Sequence, residues 1–233
     1  VAESITFNII NSFFHRKNQS SKLYANAVMV DMESKVIEKC VIDAEKRGFC
    51  YDTNLVVKKQ GGSGNNWANG FFNHGPSVEE DFVEKFSKLM DFLFIVDSVI
   101  VVNSLAGGTG SGLGSYINIL IKDNFPSINL VNLNIWPSST GEVIVNSYNT
   151  LLSLSESYKV SDLIFIIDNQ QLFDTCKTVY KLKKMNYAHL NSLISRQLLS
   201  AIVPVVDESN LTKSRVSVWS VKSQVSLITE TLG

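Results

Sequence analysis

Apolar residues fall along this chain in two rhythms. Residues 27–32 (AVMVDM), 98–105 (SVIVVNSL), 128–136 (INLVNLNIW) and 162–168 (DLIFIID) are short runs dominated by Val, Ile and Leu. Such runs predict buried strands of the kind found in parallel sheets. Elsewhere the apolar positions recur at three- and four-residue steps. Phe82, Phe86, Leu89, Met90 and Leu93 predict a helix with one buried face, started by a capping box of Ser77 and Glu80 after Pro76. Leu113–Lys122, Val143–Leu154 and Tyr187–Ile202 predict three more helices, the last with Leu190, Leu193, Ile194, Leu198 and Ala201 inward. After Pro204 the pattern changes. Residues 207–214 (DESNLTKS) read as loop, and Val216, Val218 and Val221 as a final short strand. Strands alternating with helices predict an α/β fold of three layers: a mostly parallel sheet with helices on both faces, Rossmann-like in plan. One domain is expected over 1–204, with 205–233 the incomplete start of a further region.

Composition narrows the function classes. The chain has 233 residues, of which 45% are apolar, enough for a sizeable core. With 21 basic and 22 acidic side chains the net charge is −1, which gives no support for a nucleic-acid surface or a polybasic membrane surface. The longest apolar stretch, Phe92–Val102, is broken at Asp97 and Ser98 and falls short of the ~20 residues that span a bilayer. Cys40, Cys50 and Cys176 show no CxxC spacing, and His15, His74 and His189 are scattered. A disulfide framework or a zinc site is not indicated, and a reducing compartment fits. No secretory signal opens the chain, and its first residue is Val1, so a trimmed start is expected.

The candidate chemistry lies in the glycines. Of 13, five fall in residues 61–75 and five in 107–114. The second cluster, Ala106-Gly107-Gly108-Thr109-Gly110-Ser111-Gly112, sits between a predicted buried strand and a predicted helix. In an open α/β sheet that is where ligands bind, and backbone N–H groups with a helix dipole would hold an anion, most simply phosphate. Hydroxyls at Ser104, Thr109 and Ser111 add to the reading; the alternative is a tight turn with no ligand. A Walker loop is excluded because no Lys follows the last glycine. The dinucleotide fingerprint GxGxxG fails in all three registers, where its third small position would be Leu113, Ser115 or Ile117. A nicotinamide-dependent dehydrogenase is therefore disfavoured.

The motif that matches is AGGTGSG at 106–112, which resembles the GGGTGSG signature of the tubulin superfamily, with Ala106 in place of the first glycine. Gly62-Ser63-Gly64-Asn65-Asn66-Trp67-Ala68-Asn69-Gly70 resembles that family's GAGNNWAKG loop. Val30-Asp31-Met32-Glu33 resembles VDLE, Asp168-Asn169 with Phe173–Cys176 resembles DNEAIYDIC, and Tyr187–Ile194 resembles YTNLNRLIS. The five occur in family order over residues 30–194, and the resemblance covers about 20–204. Trp136–Val145 with Tyr148-Asn149, Ala106 and His74-Gly75-Pro76 are similar to the delta type, with the epsilon type the nearest alternative.

The resemblance implies the GTPase-domain fold shared by tubulin and FtsZ, lacking its first strand and loop, so that a neighbouring sheet edge stands unpaired. By the same resemblance the cofactors would be GTP or GDP with Mg²⁺. Gly107, Gly108, Thr109 and Gly110, with Ser104 and Ala106 at the strand end, would wrap the β- and γ-phosphates. Asn65 would reach them from the facing loop. Asp31 and Glu33, two apart and so expected on one strand face, would lie near the metal; a solvated strand edge is the plainer reading. Tyr187 would stack on guanine, with Asn191 and Asn169 on its polar edge. Their plainer readings are a core aromatic, and helix-cap or turn asparagines. Glu142 falls at a ribose contact, and Asn146 stands where the family usually has Glu. Trp67, Trp136 and Cys176 read as packing. The partners would be other tubulins through longitudinal contacts, in microtubule or centriolar structures, in the cytoplasm and cytoskeleton. Hydrolysis in the family needs an acid from the neighbouring subunit, so no catalytic residue is assigned.

Overall fold

A computed structural model describes residues 10–17, 21–93, 96–137, 144–181, 186–202 and 223–228. Its centre is a parallel sheet. The strands, named in chain order, are β1 Phe14–Arg16, β2 Leu23–Ala25, β3 Ala27–Asp31, β4 Phe49–Cys50, β5 Val56–Lys58, β6 Val96–Ser104, β7 Asn129–Trp136, β8 Leu163–Asp168 and β9 Ser223–Ile228. Six form the main sheet in the order β5-β3-β9-β6-β7-β8, with every pair parallel. The short strands β1, β2 and β4 make a separate three-stranded sheet.

Alternation along the strands sends successive residues to opposite faces. Val28, Val30, Val99, Val101 and Leu130 point to one side and pack with Phe82, Phe86 and Leu89 of α2 (Gly75–Leu93) and Ile117 and Ile121 of α3 (Gly114–Asn124). On the other side, Leu133, Ile135 and Ile167 meet Leu172 and Cys176 of α5 (Asn169–Thr178) and Leu190 and Ile194 of α6 (Tyr187–Ile202). Met29 and Val56 meet Ile37 of α1 (Ser34–Lys46). With α4 (Asn146–Val160) packed on α3, the three layers expected from the sequence are present.

Three local expectations need correction. Ser77 does not cap α2. A π-helical turn, Asn69–His74, runs directly into the helix, so the Ser77 hydroxyl lies inside it and donates to the carbonyl of His74 at 2.7 Å. Helix α4 runs on to Val160, because nothing in Ser155–Lys159 opposes helix; it stops where Ser161 turns extended. The sheet edge expected to stand unpaired does not: β9 lies between β3 and β6, with Val28 beside Leu227 and Val101 beside Leu227 on the other side. Val216, Val218 and Val221 lie outside the described residues, and the strand is Ser223–Ile228.

Candidate functional site

Because the main sheet is parallel, the C-terminal ends of β3, β5 and β6 share one rim. The first glycine segment leaves β5 there and the second leaves β6. Each runs into a π-helical turn, Asn69–His74 and Thr109–Leu113, and these two turns pack against each other. Such turns are uncommon and concentrate at functional sites. The glycines make the contact possible. A Cβ on Gly70 would run into the carbonyl oxygen of Gly108, and one on Gly112 into that of Trp67. These glycines therefore serve first to seat backbone on backbone, a role the sequence alone did not separate from ligand approach.

Polar contacts lock the pair. Ser63 Oγ and Thr109 Oγ1 share a hydrogen bond of 3.0 Å, and His74 Nε2 lies 3.0 Å from the carbonyl of Gly62. Asn66 Oδ1 accepts from the Ala68 amide at 2.9 Å, closing the first loop. Asn65 sits at that loop's tip, exposed, with φ +51, a left-handed conformation that Asn tolerates better than most residues. The hydroxyls expected around a phosphate are in use within the loops. Ser104 Oγ accepts from the Ala106 amide at 3.3 Å, and Ser111 Oγ donates to the Gly107 carbonyl. Any anion is therefore left chiefly to backbone amides of 107–110, at the entry to α3. An open depression on the outside of the first loop, lined by Ser63, Gly64, Asn66, Asn69 and Asn73, includes none of 104–110. The loop geometry is the better guide to the site.

Asp31 and Glu33 do not share a strand face. Strand β3 ends at Asp31, and Glu33 is the exposed N-cap residue of α1. Asp31 is buried at the rim, where Oδ1 accepts from the Glu33 amide at 3.0 Å. Desolvation raises its pKa to about 6 against that hydrogen bond. At neutral pH the carboxylate is held at a cost that a nearby cation would offset. Among the described residues no three His, Cys, Asp or Glu side chains group as a metal cage. Mg²⁺ at Asp31 would take its other ligands from phosphate and water, as that ion commonly does.

Asn169 and Asn191 lie on the helices of the opposite layer. Asp168, not Asn169, caps α5: its Oδ1 accepts from the amides of Gln170 at 2.7 Å and Gln171 at 3.4 Å. The cap reading therefore does not account for Asn169. Asn191 is in the second turn of α6, away from either end. The Oδ1 atoms of both are shielded from solvent and have no hydrogen-bond partner among the described residues. Buried acceptors without donors are uncommon. Two of them fit the N1–H and N2–H₂ donors of guanine, so the residues present suit that base. Tyr187 is the first residue of α6, one turn before Asn191; its side chain and all of Glu142 lie outside the described residues. Asn146 opens α4. Trp67 is buried and stacks on Phe71 at 4.6 Å, and Cys176 is buried in the core.

Sequence reasoning missed Asn149. Buried on α4, it accepts from the Trp67 amide at 3.0 Å and donates to the carbonyls of Asn65 at 2.7 Å and Ala106 at 2.8 Å. The only signal was its place in the Tyr148-Asn149 pair.

Comparison with known proteins adds to this geometry. The model of the Tubulin/FtsZ family, GTPase domain, matches residues 2–177, beginning well before the expected limit near residue 20. The tubulin delta chain of Mus musculus is 35% identical over 198 residues, 84% of this chain and 44% of the relative. The delta chain of Homo sapiens is 34% identical over 192 residues, 82% and 42% of the two chains. The tubulin gamma chain of Saccharomyces cerevisiae is 33% identical over 208 residues, 89% and 43%. This chain spans less than half the length of these relatives. On the family match, which takes in both glycine loops, the chain belongs to the Tubulin/FtsZ family through its GTPase domain, with delta chains among its relatives.

Proposed function

We propose that this chain is the guanine-nucleotide-binding part of a tubulin-family subunit of the delta type, and that it binds GTP or GDP with Mg²⁺ at the rim of the sheet. The observation that carries this is the interlocked pair of glycine loops at the strand ends, with carboxamide oxygens of Asn169 and Asn191 that have no partner among the described residues. Amides of 107–110 take the β- and γ-phosphates, with Ser104 and Ala106 fixing the turn ahead of them. Asn65 closes over from the first loop. Asp31 serves the metal, with Glu33 exposed beside it. Tyr187 stacks on the base, and Asn169 and Asn191 accept its N–H groups. Glu142 serves the ribose. The nucleotide lies at a longitudinal contact with another tubulin, and the whole subunit works in microtubule or centriolar structures of the cytoplasmic cytoskeleton, at basal bodies and cilia. Hydrolysis awaits an acid from the neighbouring subunit.

Thermal unfolding with GTP·Mg²⁺, GDP·Mg²⁺ and ATP·Mg²⁺ tests the reading. Guanine nucleotides should raise the midpoint well above any rise with ATP. Equal protection by both bases, or by neither, would count against it. Asn191→Ala should reduce the preference for GTP about fivefold, the loss of a hydrogen bond of ~1 kcal/mol. A second reading, a tubulin-fold interaction module without nucleotide, is favoured only by Ala106 and Asn146, which depart from the family pattern.

A further inference from the structure

We infer that Asn149 is a positioning residue that clamps the two glycine loops into one nucleotide-ready frame. This rests on the nucleotide reading above, and it extends that reading to a residue outside the loops. The side chain is 3% exposed and sits on α4, a helix outside both loops that packs against the Thr109–Leu113 turn. Its carboxamide has two N–H donors and one oxygen, and all are used across the loops. Nδ2 donates to Asn65 O at 2.7 Å in the first loop and to Ala106 O at 2.8 Å in the second. Oδ1 accepts from Trp67 N at 3.0 Å, back in the first. No shorter polar side chain carries two donors and an acceptor at one tip, and Asp carries acceptors alone when ionised.

The clamp acts on backbone orientation. A trans peptide is planar, with its C=O and N–H on opposite sides. Turning the Ala106 carbonyl onto Asn149 therefore turns the Gly107 amide away from α4. The same side chain holds the Asn65 carbonyl while that residue keeps its left-handed φ of +51. Asn149 thus sets three peptide planes, two in the first loop and one in the second, from one side chain. The Ser63–Thr109 hydroxyl bond joins the loops elsewhere, but it fixes side chains and leaves those peptide planes free to turn.

Three variants of the full chain test this: Asn149→Ala, Asn149→Asp and, as control, Thr150→Val. Thr150 is the next buried residue on α4, and its hydroxyl donates to the Leu105 carbonyl at 3.4 Å. Hydrogen exchange should speed up together in 64–69 and 106–110 for Asn149→Ala, with α4 itself and the Thr150→Val loops close to wild type. GTP·Mg²⁺ affinity should fall at least about tenfold for Asn149→Asp at pH 8, where a carboxylate faces two carbonyls. The ratio of variant to wild-type affinity should recover partly at pH 5.5, where the protonated acid donates to one of them; Asp31 titrates near there in both chains, so the ratio at each pH is what decides. Exchange that rises in one loop alone, or no change in affinity for Asn149→Asp while wild type binds, would overturn the clamp. If wild type binds no guanine nucleotide the proposed function fails, and the exchange result still decides the clamp. If Asn149→Ala does not fold, the pH series on Asn149→Asp decides it.

Discussion

At the scale of single residues, the loops owe their shape to steric permission as much as to bonding. Gly112→Ala should destabilise the chain by roughly 2–3 kcal/mol, because its Cβ meets a backbone carbonyl that cannot step aside. Gly61→Ala has open space and suffers only from its φ of +136, so about 1 kcal/mol is expected. Urea unfolding of the two variants checks the order; equal costs would contradict the backbone-on-backbone account. Asp31→Asn gives a signed pH test. A carboxyl whose folded pKa lies above its unfolded value contributes stability below the unfolded pKa and loses it as pH rises through about 6. The variant should therefore be roughly 1–3 kcal/mol more stable than wild type at pH 7.5 without Mg²⁺, with the gap closed below pH 4. A variant less stable at pH 7.5 would show that the buried charge is already compensated. The two glycine clusters and the VDLE-like segment were legible in the sequence. That Gly70 and Gly112 pack on opposing backbone was not, since it depends on a contact between loops some forty residues apart.

At the scale of elements, the strong signals were the strands β6, β7 and β8 and helices α2, α3 and α6, whose apolar rhythm is long enough to fix type. The short strands β1, β2 and β4 carry two or three residues each and left no pattern. Nor did the sequence show α5, whose cap is the same Asp168 that ends β8. The capping box at Ser77 failed because a cap is needed only where helix begins, and here helix is already under way. Ser77→Ala should accordingly cost less than about 0.5 kcal/mol, below the ~1 kcal/mol typical of a lost N-cap. Strand β9 is the opposite case. Three valines before it drew attention, but its partners could be known only from the fold. It pairs on both sides, so a proline within it removes a ladder hydrogen bond in the middle of the sheet. Val225→Pro should cost about 3 kcal/mol or more in thermal unfolding. Loss of only the C-terminal signal, with the rest of the chain unfolding as before, would place β9 outside the cooperative sheet.

At the scale of the whole molecule, the sheet collects strand ends at one rim, α2 and α3 brace one face, and α5 and α6 bring Asn169 and Asn191 on the other. Order along the chain carried the family assignment, because five weakly specific segments in fixed sequence are together hard to match by accident. It carried less about the proposed base site, where two buried oxygens have no donor among the described residues and only the three-dimensional arrangement exposes the deficit. The same logic marks Asn118 on α3, fully buried with neither amide atom partnered among the described residues. Asn118→Leu should leave stability unchanged or raise it by about 1 kcal/mol, and a large loss would point to internal water there. The most direct measurement is the identity of small molecules released when the freshly purified protein is denatured. A guanine-nucleotide site at the rim predicts GTP or GDP, near one per chain, with magnesium. Release of an adenine nucleotide, or a protein that emerges empty and stays so after incubation with GTP and Mg²⁺, would contradict it.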